Sequence, residues 1–161
     1  MKKLTMILFL LLLSAGIKTF GQVHGDSENP TTDSTQVAAT LNQFIDAFTS
    51  LDWDKFVTFF DSNATAFFPP SARFPERANN KMEIENIFKK VFENARKQKT
   101  GPPYLTIQPR DLKIQLFGPV AIATFMLDDP SMLGRRTIVM NKKGRKWLIV
   151  HLHASGINQP N

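Results

Sequence analysis

The sequence predicts an α+β domain in which three N-terminal helices lie against one face of a strongly curved antiparallel sheet. Two observations predict it. Apolar residues recur at helical spacing in three segments before Gly101, and beyond it every apolar stretch is short, strand-like and bounded by turn residues. The closing stretch, Arg145 to Ser155, reads as one long strand, with Trp147, Ile149, His151, His153 and Ser155 on one face and Leu148, Val150, Leu152 and Ala154 on the other. A strand with apolar residues on both faces is covered on both, so the sheet is expected to wrap around something.

The 161-residue chain opens with Met1, Lys2 and Lys3, an apolar run from Leu4 to Leu13, and small residues at Ser14, Ala15 and Gly16. That pattern predicts a secretory signal peptide over residues 1–21 and a secreted or periplasmic product. A membrane-crossing helix needs roughly 20 apolar residues, and Lys18 interrupts this run long before that, so no anchor is expected after cleavage. With no cysteine there can be no disulfide, and the core alone must stabilise an exported domain. Removal of residues 1–21 takes Lys2, Lys3 and Lys18 with it and lowers the formal charge from +6 to +3, 17 bases against 14 acids. The basic character is partly the signal's, which weakens any case for a polyanionic partner. Residues 22–34, with Gly25, Pro30 and hardly an apolar side chain, read as a flexible leader, and His24 within it is given no role.

One domain is expected over residues 35–157, followed by a short tail, 158–161. Val37, Leu41, Phe44, Ile45, Phe48 and Leu51 predict an amphipathic helix from Thr35 to Leu51. Asp52 then caps a short helix over Trp53–Phe60 that buries Phe56, Phe59 and Phe60. A short strand, Asn63 to Phe68, stops at Pro69-Pro70, and Ser71 to Ala78 is a loop. Asn79 or Asn80 caps the third helix, whose stripe is Ile84, Ile87, Phe88, Val91, Phe92 and Ala95 and whose end is Gly101-Pro102-Pro103. Leu105–Gln108 and Leu112–Phe117 are expected to form one strand bent at Pro109. Val120–Leu127 and Arg135–Met140 follow, the latter turning through Asn141–Gly144 into the closing strand.

This order resembles the nuclear transport factor 2-like superfamily, and within it the SnoaL-like families. Phe-Ile-Asp-Ala-Phe (44–48) leading to Asp52, and Lys-Trp-Leu-Ile-Val-His-Leu-His-Ala-Ser-Gly (146–156), carry the resemblance. The ending is also similar to the association domain of calmodulin-dependent kinase. The resemblance implies a cone-shaped, strongly bent sheet closed on one side by the long first helix. In ketosteroid isomerases of the superfamily, a tyrosine and an aspartate carry the chemistry; the matching positions here are Phe44 and Phe68, which can neither donate a hydrogen bond nor abstract a proton. The arginines of the kinase hub cone correspond to Met126, Ile138 and Ala154. The resemblance therefore implies an apolar cone, with Phe44, Phe68, Met126, Ile138 and Ala154 as its ligand-binding residues, and a homodimer paired through the outer face of the sheet.

His151 and His153 are the candidate catalytic residues. An imidazole titrates near neutrality and can serve as general acid or base, but a strand-end histidine held by a hydrogen bond is an equally complete account of each. A zinc site would need a third ligand, which no motif supplies, so no metal and no cofactor are expected. Lys142, Lys143, Arg145 and Lys146 straddle a turn without interleaved aromatics, as solvated lysines do, and no nucleic acid partner is expected. Arg135 and Arg136 are read similarly, with one of the two a candidate for the mouth of the cone. Two functions remain: an exported module binding a small hydrophobic molecule, which is preferred, or a SnoaL-like cyclase, isomerase or hydrolase acting through His153.

Overall fold

The structure, a computed structural model, describes residues 30–69, 77–129 and 132–158. The signal peptide, the leader up to residue 29, His24, the end of the tail and the loop over residues 70–76 lie outside the described residues. Helix α1 spans Pro30–Thr49, a one-turn helix α2 spans Trp53–Phe56 and runs on as a 3-10 turn, Val57–Phe59, and α3 spans Lys81–Gln98. The strands are β1 (Phe60–Phe67), β2 (Arg77–Ala78), β3 (Pro109–Phe117), β4 (Val120–Asp129), β5 (Met132–Lys143) and β6 (Lys146–Asn158). They form one open six-stranded sheet in the order β2-β1-β6-β5-β4-β3. All neighbours are antiparallel except β1 and β6, which are parallel, so the sheet is mixed rather than wholly antiparallel.

Helix α1 starts earlier than its apolar stripe suggests. Pro30 opens it, at a position where a missing N–H costs nothing, so residues 30–34 belong to the helix and not to a leader. It ends in a tight reverse: Asp52 N–H donates to the Ala47 carbonyl at 2.9 Å while Leu51 takes a left-handed φ of 54°. Leu51 accepts that strain because its side chain is buried. The next caps follow the sequence. Lys55 N–H donates to Asp52 Oδ1 at 3.1 Å, and Glu83 N–H donates to Asn80 Oδ1 at 3.0 Å while Glu83 Oε2 accepts from Asn79 N–H at 2.7 Å, a reciprocal box that starts α3. Residues 105–108 are not a strand, and the expected bend at Pro109 falls at Asp111, where φ is 54° and the β3–β4 register shifts.

The largest departure lies in β6. Val139 faces His151 and Met140 faces Ile149, so Val150 is an extra residue with no partner on β5. A bulge of one residue reverses the side-chain alternation on either side of it. Trp147 and Ile149 therefore share the inner face with Leu152 and Ala154, all buried, while His151 and His153 turn outward. The expected grouping of Trp147 and Ile149 with the histidines is corrected accordingly.

The core lies between this inner face and the helices. Ala64 and Ala66 of β1, Ala121 and Ala123 of β4, and Ile138 and Met140 of β5 are small or aliphatic. Against them the helices bring a cluster of phenylalanines in which Phe56 is central, with ring centroids 5.2 Å from Phe44, 4.8 Å from Phe88 and 5.2 Å from Phe92. Two ion pairs pin the β5–β6 hairpin beneath it: Lys142 Nζ meets Asp33 of α1 at 2.7 Å, and Lys143 meets the buried Asp61 of β1.

Asp61 also accepts the Asn63 N–H at 3.0 Å; the Lys143 hydrogen bond first, then this one, hold its carboxyl below the usual range. A carboxylate with a depressed pKa stabilises the fold while ionised and loses that contribution as pH falls. Asp61→Asn is expected to lower the urea midpoint at pH 7 by the equivalent of about 1 kcal/mol, with an unchanged slope. The difference from the parent protein should shrink below about pH 4; an undiminished difference at pH 3 would assign the effect to packing instead.

Candidate functional site

The inner face of the sheet and the two long helices do not meet completely, and the space between them is a cavity of about 320 Å3. That lies at the lower end of the range for small-molecule sites, roughly 300–1,000 Å3. Helix α1 contributes Phe44, Ile45 and Phe48, and α3 contributes Ile87, Phe88 and Val91. The stretches after β1 and before β3 add Phe68, Pro69 and Ile107. The sheet closes the far side with Phe125, Leu127, Arg136, Ile138, Leu152 and Ala154. Their spacing explains this. Phe44 and Phe48 are one turn apart on α1, Ile87 and Val91 one turn apart on α3, and the sheet residues alternate along β4, β5 and β6. The rings are braced from behind: Phe48 and Phe68 stand edge-on to Phe88 at 5.5 and 5.7 Å, and Phe44 stacks on Phe56.

Of the residues expected to line the cone, Phe44, Phe68, Ile138 and Ala154 do so. Met126 does not. It lies on the outer face of β4 and is 36% exposed, because Phe125 and Leu127, its neighbours, take the inward positions. The sequence reading named neither Arg136 as the residue at the cavity nor most of the aliphatic wall. Arg136 was within reach of it, since Ile138 two residues on was placed inward and a strand returns to the same face every second residue. The Val120–Leu127 run is apolar at every position but Thr124, and its parity gives no such hint.

Arg136 is half-buried, and its Nη1 donates to the carbonyl oxygens of Arg135 at 2.8 Å and Ser155 at 3.1 Å. Burial lowers its pKa. Among the described residues lining the cavity there is no carboxylate, imidazole, hydroxyl or thiol, and no group of three potential metal ligands occurs among the described residues anywhere.

The histidines lie on the opposite side of the sheet. His153 is exposed; His151 is partly covered, and the Thr65 hydroxyl hydrogen-bonds its Nδ1 at 2.8 Å. Phe67 packs on both rings, at 5.6 Å from His151 and 5.9 Å from His153, and carries the Arg77 guanidinium 5.7 Å from its centroid. Desolvation, with smaller contributions from His153 and Arg77, lowers the His151 pKa.

With this geometry in place, comparison with known proteins is decisive for the family. A model of the SnoaL-like domain matches residues 37–159. The chain belongs to the SnoaL-like family. Solved structures share the fold at low identity. A candidate dehydratase of the nuclear transport factor 2-like family from Streptomyces avermitilis superposes with a TM-score of 0.67 at 18% identity, over 80% of this chain and 99% of that one. A nuclear transport factor 2-like protein of unknown function from Pseudomonas putida gives 0.65 at 17%, over 78% and 87%. A candidate ketosteroid isomerase from Parabacteroides distasonis gives 0.60 at 19%, over 81% and 94%. No curated protein sequence matches. The SnoaL-like chain builds its cavity between the helices and the inner face of the sheet, and no described helix is long and apolar enough to cross a membrane.

The depressed His151 pKa has a sign that can be tested. A histidine whose folded pKa is lowered stabilises the fold while neutral, so its contribution is present above about pH 6.5 and is lost as pH falls below it. The His151 ring is expected to titrate below the ordinary histidine range by NMR, and His151→Gln to flatten the fall in Tm between pH 6.5 and 5. A His151 pKa at or above the ordinary value would contradict this placement.

Proposed function

We propose that this SnoaL-like domain is an exported binding module that holds a small hydrophobic molecule in its cavity without converting it. One observation carries the reading: of the fifteen described residues that line the cavity, fourteen are apolar and the other is Arg136. Burial of apolar surface is then the main force for binding. At about 25 cal/mol per Å2, a ligand hiding roughly 200–300 Å2 gains about 5–7 kcal/mol before the entropy of immobilisation is subtracted, which limits affinity to roughly 10 μM or weaker. The N-terminal charged and apolar pattern supports export.

An enzyme working through His153 is less well supported. General acid–base catalysis needs the group within hydrogen-bond reach of substrate, and His153 is exposed on the face of the sheet away from the cavity. The phenylalanines at 44 and 68 leave the wall without a proton donor at either position.

Calorimetric titration with naphthalene, a neutral probe without polar groups, tests the reading. The parent protein should bind it, Ala154→Phe should weaken binding by at least about tenfold by filling the cavity, and His153→Ala should leave affinity within about twofold. Loss of binding on His153→Ala, with Ala154→Phe unaffected, would move the site to the outer face and overturn the proposal.

A further inference from the structure

Arg136 is the one polar side chain among the described residues of the cavity wall, and among them its partners are incomplete. Its Nη1 is engaged by the carbonyl oxygens of Arg135 and Ser155, which fix the plane of the guanidinium without neutralising it. No carboxylate pairs with it among the described residues, and none there accepts from Nη2 or Nε. A half-buried guanidinium gains from an anionic partner, because two neutral carbonyls return less than the partial desolvation of the cation costs. The guanidinium stays cationic at neutral pH even with its pKa lowered by burial. Gly134 keeps the space around it: a Cβ there would stand 3.3 Å from Arg136 Nη1 and 3.3 Å from the Leu127 carbonyl.

Building on the cavity reading above, we infer that the ligand is an amphipathic monoanion: an apolar chain or ring lying against Phe44, Phe88 and Ile138, ending in a carboxylate-type group seated on the Nε and Nη2 donors of Arg136, to which no described residue is bonded. A planar fork of N–H groups matches a carboxylate with two parallel hydrogen bonds. A single cation among otherwise apolar described wall residues admits one anionic end and disfavours sugars, nucleotides and polyanions, whose remaining polar groups those residues would leave unpaired.

Four probes separate this inference from the cavity reading on which it rests: octanoate, octanol, octylammonium and acetate, each titrated into the purified protein at pH 7. Octanoate should bind roughly tenfold or more tightly than octanol, octylammonium should bind more weakly than octanol, and acetate, lacking an apolar body, should show no binding. Arg136→Gln should erase the advantage of octanoate over octanol. Octanol binding as tightly as octanoate, or an advantage that survives Arg136→Gln, would overturn the anionic head while leaving the apolar cavity standing. Binding of none of the three eight-carbon probes would overturn both. If Arg136→Gln does not fold, the ranking of the four probes on the parent protein decides the matter alone.

Discussion

A β-strand gives alternate side chains to opposite faces, so one unpaired residue in a long strand exchanges the faces of everything beyond it. Val150 is that residue in β6. Before it, Trp147 and Ile149 point into the core; after it, Leu152 and Ala154 do, and the histidines between them are turned out. The strand thus keeps an apolar inner face along its whole length, although its sequence, read with strict alternation, would drive His151 and His153 inward. Two imidazoles in that wall would have needed partners that the cavity lacks. The chemistry of the cavity is set by this one backbone irregularity as much as by any side chain.

The helices complete the wall with rings that support one another. Phe56 is 1% exposed and stacks or stands edge-on against Phe44, Phe60, Phe88 and Phe92. Rings held on several sides resist collapse into the space beside them, which is how a cavity persists in an interior that otherwise packs closely. The same apolar surroundings give Arg136 its weight. A guanidinium in water contributes little to selectivity, but one held by two carbonyls in a wall of phenylalanine and isoleucine discriminates strongly between a neutral and an anionic ligand.

Much of the fold was legible in the sequence, because stripes such as Ile84, Ile87, Phe88, Val91 and Phe92 and caps such as Asp52 and Asn80 are local signals. The parallel pairing of β1 with β6 was not, since no local signal fixes which strands meet across eighty residues. The site was legible in part. Phe44, Phe68, Ile138 and Ala154 came from resemblance and stand in the cavity wall, whereas Met126 stands outside it because an unbroken apolar run hides its own parity. The faces of β6 were misassigned because a bulge at a β-branched residue flanked by others leaves no trace in composition. One of Arg135 and Arg136 was expected at the mouth of the cone without a choice between them, although the spacing from Ile138 marks Arg136 as the inward one.

The central claim is that the bulged sheet and the phenylalanine wall enclose a dry space open to an apolar guest. A crystal of the protein under xenon pressure tests this most directly, since xenon enters apolar cavities and competes poorly with ordered water in polar ones. Xenon density is expected between Phe44, Phe88 and Ile138, with His151 and His153 on the far side of the sheet. A space without xenon, filled by ordered water or by an inward-turned histidine ring, would contradict it.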